Sequence, residues 1–584
     1  MNKKIVLSCI VSLCAFLQVN CFAYESFGTF NAEGILEASK LSDSLSKYLP
    51  ALKSLNPEKS TAFGFKGKEN QLTARNQGNI TGQIALAKKH LSKINKIRVK
   101  YLAVQDYYDY LLFKNYLEFE IYKLSNFSPL ENPFYYLKPI EYAYRLIHRS
   151  TGNYHRRLEY ALSIMQEIPE VLNNAEKYLK LLPEPIVKYA VMQCEDGEDT
   201  LDELNSYFDE LLSLGVTTLD TINFTIADAK SALNKYALFL KTRVAPLPNK
   251  DLSIGKKAYD YYLKHHHITD LTSGRILKIT KDEFYSTKKE LLKKLSVFLK
   301  AKKVTLKDYE KALLKFSEGY PEAEGLLTVF ADEMQNAYRH FAKNLGFNAP
   351  EELIKILKTP GYKKNTPDFI SFSGPYNLDK DNNSEIYINV PSQKLKESER
   401  KTIVRREFNY PNIKLAVINL VMPGKFYYYT NLNNKSRAQS LFPSLVMSEG
   451  WSDYAFDLAL ETEYIFTPEE KLSLLRSRLV KVARAYLDVA IHTNKIDYSN
   501  ALNFLVNETA MSKEQAEKEM VNILINPTSD TSYVLGRRKI LKMRNKFAKK
   551  NKNLTEFHRS IFDIGNIPLK YMEQELKEEM RGQK

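Results

Sequence analysis

Ser448-Glu449-Gly450-Trp451-Ser452-Asp453-Tyr454-Ala455 contains the only tryptophan of this 584-residue chain. Glu449, Asp453 and Asp457 recur at every fourth position, which places them on one face of a helix. A carboxylate at such a position is either a metal ligand or an acid that stabilises the helix N-terminus. The stretch therefore predicts a helix with one acidic face, and helical periodicity continues from it to the C-terminus.

A second polar pattern follows on the next helical segment. Arg484, Asp488 and His492 are also four residues apart, so they form a stripe along one helix face. A carboxylate one turn before a histidine can hold the imidazole tautomer and raise its basicity. The residues around the stripe are apolar, so the pattern fits an acid–base pair in an interior cleft as well as a salt-bridged surface stripe.

Helical periodicity also extends upstream of these motifs. It covers residues 83 to about 243 and residues 254 to about 357, whereas Ile386 to Val390 alternates like a short strand. The predicted fold is mostly α, with one large helical domain and a small β insertion near residues 370–392. The predicted divisions are a partly irregular segment at 24–80 and the helical domain at 81–584. The domain has a helical half to about residue 245 and a motif-bearing half from about residue 250.

Composition agrees with a globular, helical protein. Hydrophobic residues make up 44% of the chain and charged residues 26%, which excludes collagen, low-complexity disorder and a polytopic membrane protein. The 21 glycines are about half of the usual share, which favours long helices over turn-rich β architecture.

The first residues resemble a targeting segment. Lys3 and Lys4 precede an apolar stretch from Ile5 to Val19, and Ala23 offers a small residue for signal peptidase. We therefore predict a signal peptide at 1–23 and an exported protein, periplasmic or secreted, without a transmembrane segment in the mature chain. An N-terminal membrane anchor or a lipid on Cys21 are the alternatives. Cleavage would lower the formal net charge from +16 to +14.

A basic segment lies near the C-terminus. Residues 536–553 hold nine Lys or Arg and no acid, with Ile540, Met543 and Phe547 at helical spacing. The pattern predicts an amphipathic helix with a basic outer face. That face is either a solvated surface or a contact with an anionic envelope surface such as lipid phosphate. Export makes nucleic acid an unexpected partner.

Common catalytic motifs are absent from the sequence. It contains no H-E-x-x-H, no Walker loop, no G-x-S-x-G and no glycine-rich dinucleotide turn. The run His265-His266-His267 is not a predicted metal site, because consecutive helical side chains point about 100° apart.

The C-terminal third carries several motifs in a recognisable order. They are Pro423-Gly424, residues 448–455, the Arg484/Asp488/His492 stripe, Ser532-Tyr533-Val534-Leu535-Gly536 and Glu556-Phe557-His558. This order resembles the bacterial domain-of-unknown-function family 885, whose members are predicted exported metallopeptidases. The resemblance covers most of the mature chain and implies one metallopeptidase-like helical domain.

The resemblance also shows where this chain departs from its family. The family's predicted zinc motif is H-E-x-x-P-G-H followed by E-G-W, whose Glu would be a third ligand. Here Asn419 and Lys425 stand at the two His positions, and Leu420 stands at the position of the Glu beside the first His. Of the predicted metal chemistry only Glu449 remains. The resemblance therefore implies that zinc binding is lost and that no cofactor is present. We expect Lys425 to form a salt bridge with Glu449 in place of the metal.

Three functions remain open from the sequence. The first is a non-hydrolytic, peptide- or ligand-binding pseudoenzyme. The second is a metal-independent hydrolase that uses His492 with Asp488, or a peptidase with an unusual metal site. The third is a protein that acts through its basic surface. The predicted cleft residues are Asn419, Lys425, Glu449, Trp451, Tyr454, Arg484, Asp488, His492 and Tyr533.

Overall fold

Helices account for most of the fold. The computed structural model describes residues 32–149, 152–247, 252–316, 319–350, 354–374, 384–551 and 554–582. The predicted signal peptide at 1–23 lies outside these ranges. The first helices are α1 (Ala32–Leu55), α2 (Pro57–Ala62), α3 (Gln77–Ile94), α4 (Val104–Asn126), α5 (Pro133–His148), α6 (Tyr154–Asn174), α7 (Glu184–Asn205), α8 (Asp209–Ser213) and α9 (Leu219–Arg243).

The second half of the chain continues the helical pattern. Its helices are α10 (Lys256–His265), α11 (Ser273–Leu299), α12 (Tyr309–Leu313), α13 (Leu326–Leu345), α14 (Glu397–Glu407), α15 (Tyr410–Leu420), α16 (Lys425–Asn431), α17 (Arg437–Leu441), α18 (Leu445–Glu461), α19 (Pro468–His492), α20 (Tyr498–Thr509), α21 (Lys513–Ile525), α22 (Thr531–Asn551), α23 (Leu554–Ile564) and α24 (Leu569–Gly582). The mostly α prediction is confirmed, and α1 and α2 lie within the segment that was predicted to be partly irregular.

Local sequence explains where many of these helices begin. Asn56, Asn76 and Asn153 each accept a hydrogen bond from a backbone N–H in the first turn that follows. At the start of α19, Thr467 and Glu470 form a reciprocal capping box, with Pro468 at the first helical position. These side chains satisfy backbone donors that have no partner within the helix.

The β structure is small, but it extends further than the sequence indicated. Strands β3 (Ile354–Lys358), β4 (Ile370–Ser373) and β5 (Ser384–Ile388) form a sheet in the order β3-β5-β4. β3 pairs parallel to β5, and β4 pairs antiparallel to it. β1 (Leu181–Leu182) and β2 (Ala245–Pro246) form a separate two-stranded sheet. The prediction of helix up to about residue 357 was wrong at β3, because pairing with β5 overrides the local helical pattern.

The largest hydrophobic core surrounds α18, whose residues from Val446 to Phe456 are all buried. This helix crosses α22 at two glycines. A Cβ built on Gly450 would lie 2.3 Å from the Cα of Gly536, so the helices approach closely only because both residues lack side chains. The close crossing brings Glu449 on α18 near Tyr533 on α22.

None of the helices in the described ranges has the length and apolarity that a bilayer crossing requires.

Candidate functional site

A sharp turn between α15 and α16 positions the first two residues of the site. A Cβ on Gly424 would lie 1.9 Å from the carbonyl oxygen of Asn419, so no larger residue fits at this position. The preceding Met422–Pro423 peptide bond is cis. The indole N–H of Trp451 donates to the Pro423 carbonyl at 2.8 Å and ties the turn to α18. Asn419 and Lys425 are thereby held beside Glu449.

Lys425 and Glu449 form the predicted ion pair. The Lys425 Nζ donates to Glu449 Oε1 at 2.7 Å, and the two side chains are only 16% and 11% exposed. Burial alone would lower the pKa of Lys425, but the neighbouring Glu449 carboxylate outweighs burial and raises it. The second carboxylate oxygen, Glu449 Oε2, is buried without a hydrogen-bond partner in the described part of the chain.

A second lysine, which the sequence interpretation missed, also lies near Tyr533. The Lys481 Nζ is 5.0 Å from the centre of the Tyr533 ring, and the Lys425 Nζ is 5.9 Å from it. Lys481 also donates to Asp453 Oδ1 at 3.2 Å. Burial lowers the pKa of Lys481, and Asp453 offsets this only in part. Its position three residues before Arg484 on α19 was the available sequence signal.

Lys425, Lys481 and Tyr533 line a cavity of about 320 Å³, which we call the central pocket, whereas Glu449, although predicted to line the cleft, lies behind this wall. Asn419, Lys425, Lys481, Arg484 and Tyr533 are among its lining residues. Four of the predicted cleft residues, Asn419, Lys425, Arg484 and Tyr533, thus meet at one cavity. The amide of Asn419 donates to the Ser452 carbonyl at 2.7 Å, so its oxygen remains available.

Arg484 is fixed by acids on its far side. Its guanidinium donates two hydrogen bonds to Asp530 Oδ1, at 2.9 and 2.6 Å, and lies 3.3 Å from Glu519. Burial raises the pKa of Glu519 to about 7, while Arg484 opposes that shift. Arg484 is therefore a rigid part of the pocket wall whose charge is already compensated.

The predicted acid–base pair of Asp488 and His492 is not formed. Asp488 Oδ1 accepts from the Thr528 backbone N–H at 3.0 Å. His492 Nε2 donates to the Ile523 carbonyl at 3.0 Å, and its Nδ1 accepts from the Ile254 backbone N–H at 3.4 Å. Burial lowers the pKa of His492 to about 4, so its ring is neutral near pH 7. Both side chains are fully buried and neither is among the lining residues of the central pocket.

Trp451 and Tyr454 also lie behind the pocket wall, although they were predicted to line it. Both are fully buried on α18. The Tyr454 hydroxyl shares a hydrogen bond of 2.9 Å with His558 Nε2, and burial lowers the pKa of His558 to about 3. These residues pack the core and position the turn at Pro423. The spacing of these residues predicted which of them share a helix face. It did not indicate which of those faces reaches a cavity.

The basic segment forms α22, and much of its charge is compensated by other helices. Arg537 contacts Asp457 at 2.6 Å, and Arg538 lies 3.4 Å from Glu283. Further ion pairs of this segment are Lys539 and Lys546 with Glu573, and Arg544 with Glu461. The predicted amphipathic helix is present, since Ile540, Met543 and Phe547 are buried, and ion pairs with other helices compensate much of its basic outer face. Contact with an anionic envelope surface stays a prediction.

The donor set at the turn does not fit zinc. Zinc sites use imidazole, thiolate or carboxylate ligands. Here an amide, Asn419, and an ammonium, Lys425, stand at the two positions that the resemblance predicts as zinc ligands, and the ammonium binds Glu449 directly. Across the ranges that the structure describes, no group of three or more His, Cys, Asp or Glu is arranged to hold a metal ion.

Comparison with solved structures identifies two proteins of the same fold. One is described as a putative lipoprotein of unknown function from Shewanella oneidensis, with a TM-score of 0.71 and 19% identity. The match covers 91% of this chain and 99% of that one. The other is described as "the putative lipoprotein from Colwellia psychrerythraea". It has a TM-score of 0.74 and 14% identity, over 93% and 99% of the two chains.

The sequence comparisons place the chain in a family without assigning an activity. No curated protein matches it. The model of one family matches residues 57–576, which is most of the chain and includes every residue of the central pocket. The chain belongs to the family described as "Bacterial protein of unknown function (DUF885)".

Proposed function

We propose that this protein is a non-hydrolytic ligand-binding member of its family, a pseudoenzyme that holds a peptide or another small ligand in the central pocket. The observation that carries the proposal is the 2.7 Å ion pair between Lys425 and Glu449. This ion pair joins Lys425, which stands at a predicted ligand position of the family motif, to Glu449, the one predicted carboxylate ligand that this chain retains.

Electrostatics supports the loss of metal-dependent hydrolysis. A catalytic zinc needs three protein ligands and an open position for water. Lys425 offers no lone pair while it is protonated, and its raised pKa keeps it protonated at neutral pH. A dication near Glu449 would therefore meet a positive charge in place of a ligand, and Leu420 cannot replace the general base.

The same pocket retains groups that bind ligands. Lys425 and Lys481 line the pocket beside Tyr533 and provide ammonium donors, and the amide oxygen of Asn419 provides an acceptor. A volume of about 320 Å³ falls at the lower end of small-molecule sites, which span roughly 300–1,000 Å³. A ligand of one or two amino-acid residues, with both donor and acceptor groups, fits this chemistry.

An exported location is part of the proposal. The N-terminal segment has the charge and hydrophobicity of a signal peptide. The two similar solved structures are described as lipoproteins, which are envelope proteins. An envelope location favours a ligand that occurs outside the cytoplasm, such as short peptides.

The decisive experiment rebuilds the family motif. We expect the triple variant Asn419→His, Leu420→Glu, Lys425→His to bind about one zinc ion per chain, because it restores two imidazoles beside Glu449. The matched control carries the same changes together with Glu449→Gln and should bind zinc more weakly. The unmodified protein should not hydrolyse peptides, whereas di- and tripeptides should raise its melting temperature.

Two results would overturn the proposal. One is zinc-dependent peptide hydrolysis by the unmodified protein that a chelator abolishes. The other is an absence of any melting-temperature shift or calorimetric binding signal across a panel of short peptides and small metabolites, which would leave the pocket without a ligand-binding role.

A further inference from the structure

One cation of the central pocket has no partner in the described part of the chain. Arg476 lies on α19 and is among the lining residues of the pocket. Its guanidinium forms no hydrogen bond and no ion pair with any residue that the structure describes, and its side chain is only partly buried. A guanidinium has five N–H donors and no acceptor, so Arg476 offers the pocket a set of unused donors.

The other four cations that line the pocket each have an acidic partner. The pairs are Lys425 with Glu449 at 2.7 Å, Lys481 with Asp453 at 3.2 Å, Arg484 with Asp530 at 2.6 Å, and Arg406 with Glu310 at 3.2 Å. An anionic ligand would compete with a carboxylate at each of these four positions. At Arg476 it would displace no acid of the described structure, so this residue is the most favourable anchor for a negative charge.

The acid that Arg476 influences is Glu407, at the end of α14. Its carboxylate contacts Arg406 at 3.4 Å, and no ion pair joins it to Arg476. Burial raises the pKa of Glu407, and the charges of Arg476 and Arg406 oppose this shift only in part. Glu407 therefore lies close enough to feel the charge of Arg476 but does not occupy its donors.

Arg476 lies toward one end of the pocket wall that α19 provides. The lining residues of this helix are Ser473, Arg476, Ser477, Val480, Lys481 and Arg484, which share one helix face. Arg476 precedes Arg484 by eight residues, or about 12 Å along the helix. The hydroxyl of Ser477 also has no hydrogen-bond partner among the described residues, so a second donor is available at the same end.

The charge of this end selects a carboxylate over a phosphate ester. One uncompensated guanidinium supplies one positive charge, which matches the single negative charge of a carboxylate, whereas a phosphate monoester carries nearly two at neutral pH. The two carboxylate oxygens also match the parallel N–H donors of a guanidinium. Asp368, an exposed acid of the same lining without an ion pair in the described ranges, can accept a positive group elsewhere on the ligand.

We propose that Arg476 binds the terminal carboxylate of the ligand, so that the central pocket recognises short peptides with a free C-terminus. The terminal carboxylate is the one anionic group that all unblocked short peptides share, whatever their side chains. This inference rests on the function proposed above, because it names the ligand group by which the same pocket holds a peptide.

The test measures binding to the full mature chain by calorimetry, with four probes. They are acetyl-dialanine with a free carboxylate, its amide, an acetylated and amidated alanyl-glutamate whose only carboxylate is on the side chain, and phenyl phosphate. We expect acetyl-dialanine to bind roughly tenfold more tightly than its amide, as a charge-assisted bidentate contact implies. Added salt should weaken binding of the acid and leave binding of the amide unchanged.

Substitutions at Arg476 assign the contact. Arg476→Gln should remove the preference for the acid over the amide, and Arg476→Lys should retain part of it, because lysine keeps the charge but loses the planar fork. Arg275→Gln, at an exposed arginine of α11 outside the pocket, is the matched control and should bind like the unmodified protein. Arg476→Gln should also leave the melting temperature unchanged, whereas Arg484→Gln should lower it, since only Arg484 has buried acidic partners.

The possible failures are distinguishable. Equal affinity for acetyl-dialanine and its amide would overturn the role of Arg476 and leave the proposed ligand-binding function intact. Tighter binding of the side-chain carboxylate or of phenyl phosphate would overturn the assignment of the terminal carboxylate. A loss of stability in Arg476→Gln as large as in Arg484→Gln would make Arg476 a structural residue. Binding of none of the four probes would contradict the proposed function together with this inference.

Discussion

Two polar clusters in the motif-bearing half of the chain differ in their surroundings. Glu449 and Lys425 meet at the edge of the central pocket, with both side chains slightly exposed. Asp488 and His492, at the end of α19, are completely buried and bind backbone groups of other segments. Glu449 and the Asp488/His492 pair each belong to a polar series at four-residue spacing, yet only the cluster that Glu449 forms with Lys425 borders a cavity.

The difference shows that spacing defines a helix face but not what packs against it. His492 faces the Ile254 and Ile523 backbone, which supplies one donor and one acceptor to its ring. Lys425 contacts Glu449 directly and lines the central pocket together with Tyr533. The first arrangement suits a structural role, and the second leaves polar atoms available to a ligand.

The largest expected effect is at the pocket pair. Lys425→Met should lower the free energy of unfolding by about 2–4 kcal/mol, because it leaves the buried Glu449 carboxylate without its counter-charge. Adding Glu449→Gln in a double variant should recover much of this loss, as measured by urea denaturation. Lys302→Met serves as an exposed control. Additive effects in this double-mutant cycle would contradict the contact between the two side chains.

The buried histidine should make the protein sensitive to acid. The pKa of His492 is about 4 in the folded protein against 6.5 as the ordinary value, so the unfolded chain binds the proton more readily. Its contribution is fully present above pH 6.5 and is lost as the pH falls toward 4, amounting to about 3 kcal/mol. Denaturation curves between pH 4 and 7.5 should be less pH-dependent in His492→Gln. Equal pH dependence in the two proteins would show that His492 is not buried as a neutral ring.

The helix crossing tests how the pocket is held together. Gly450→Ala should lower the free energy of unfolding by about 1–3 kcal/mol, since its methyl group would overlap the α22 backbone at Gly536. It should also weaken ligand binding in the central pocket by separating Glu449 from Tyr533. Ala459→Gly on the same helix is a control that alters α18 without touching this crossing. A stable Gly450→Ala variant with unchanged ligand affinity would contradict the role of the crossing.

The smallest expected effect concerns metal. A chelator should leave the melting temperature of the unmodified protein unchanged, because the ammonium of Lys425 is already the counter-charge of the Glu449 carboxylate. Differential scanning fluorimetry with and without chelator, paired with elemental analysis, measures this directly. A stoichiometric amount of zinc that stabilises the fold would reverse the interpretation of the Lys425–Glu449 pair.

The residue types and their periodicity were enough to predict the helical fold and the position of strand β5, whereas the contact of Lys425 with Glu449 was predicted from the family resemblance. Helical periodicity is a local property, and it persists here over most of the chain. The ion pair was predictable because a buried carboxylate that lacks a metal needs another positive charge nearby. Strand β3 was missed because its pairing with β5 joins segments that are distant in sequence.

Only the tertiary structure decided which predicted site residues reach a cavity. Segments that are distant in sequence cover Trp451, Tyr454, Asp488 and His492, although these residues belong to the same motifs as Glu449 and Arg484. Lys481 lies in the site although no motif predicted it, because the glycine crossing brings Tyr533 on α22 over its ammonium group. Depth and solvent access depend on packing between distant segments, whereas the face of a helix on which a residue lies depends only on its position in the sequence.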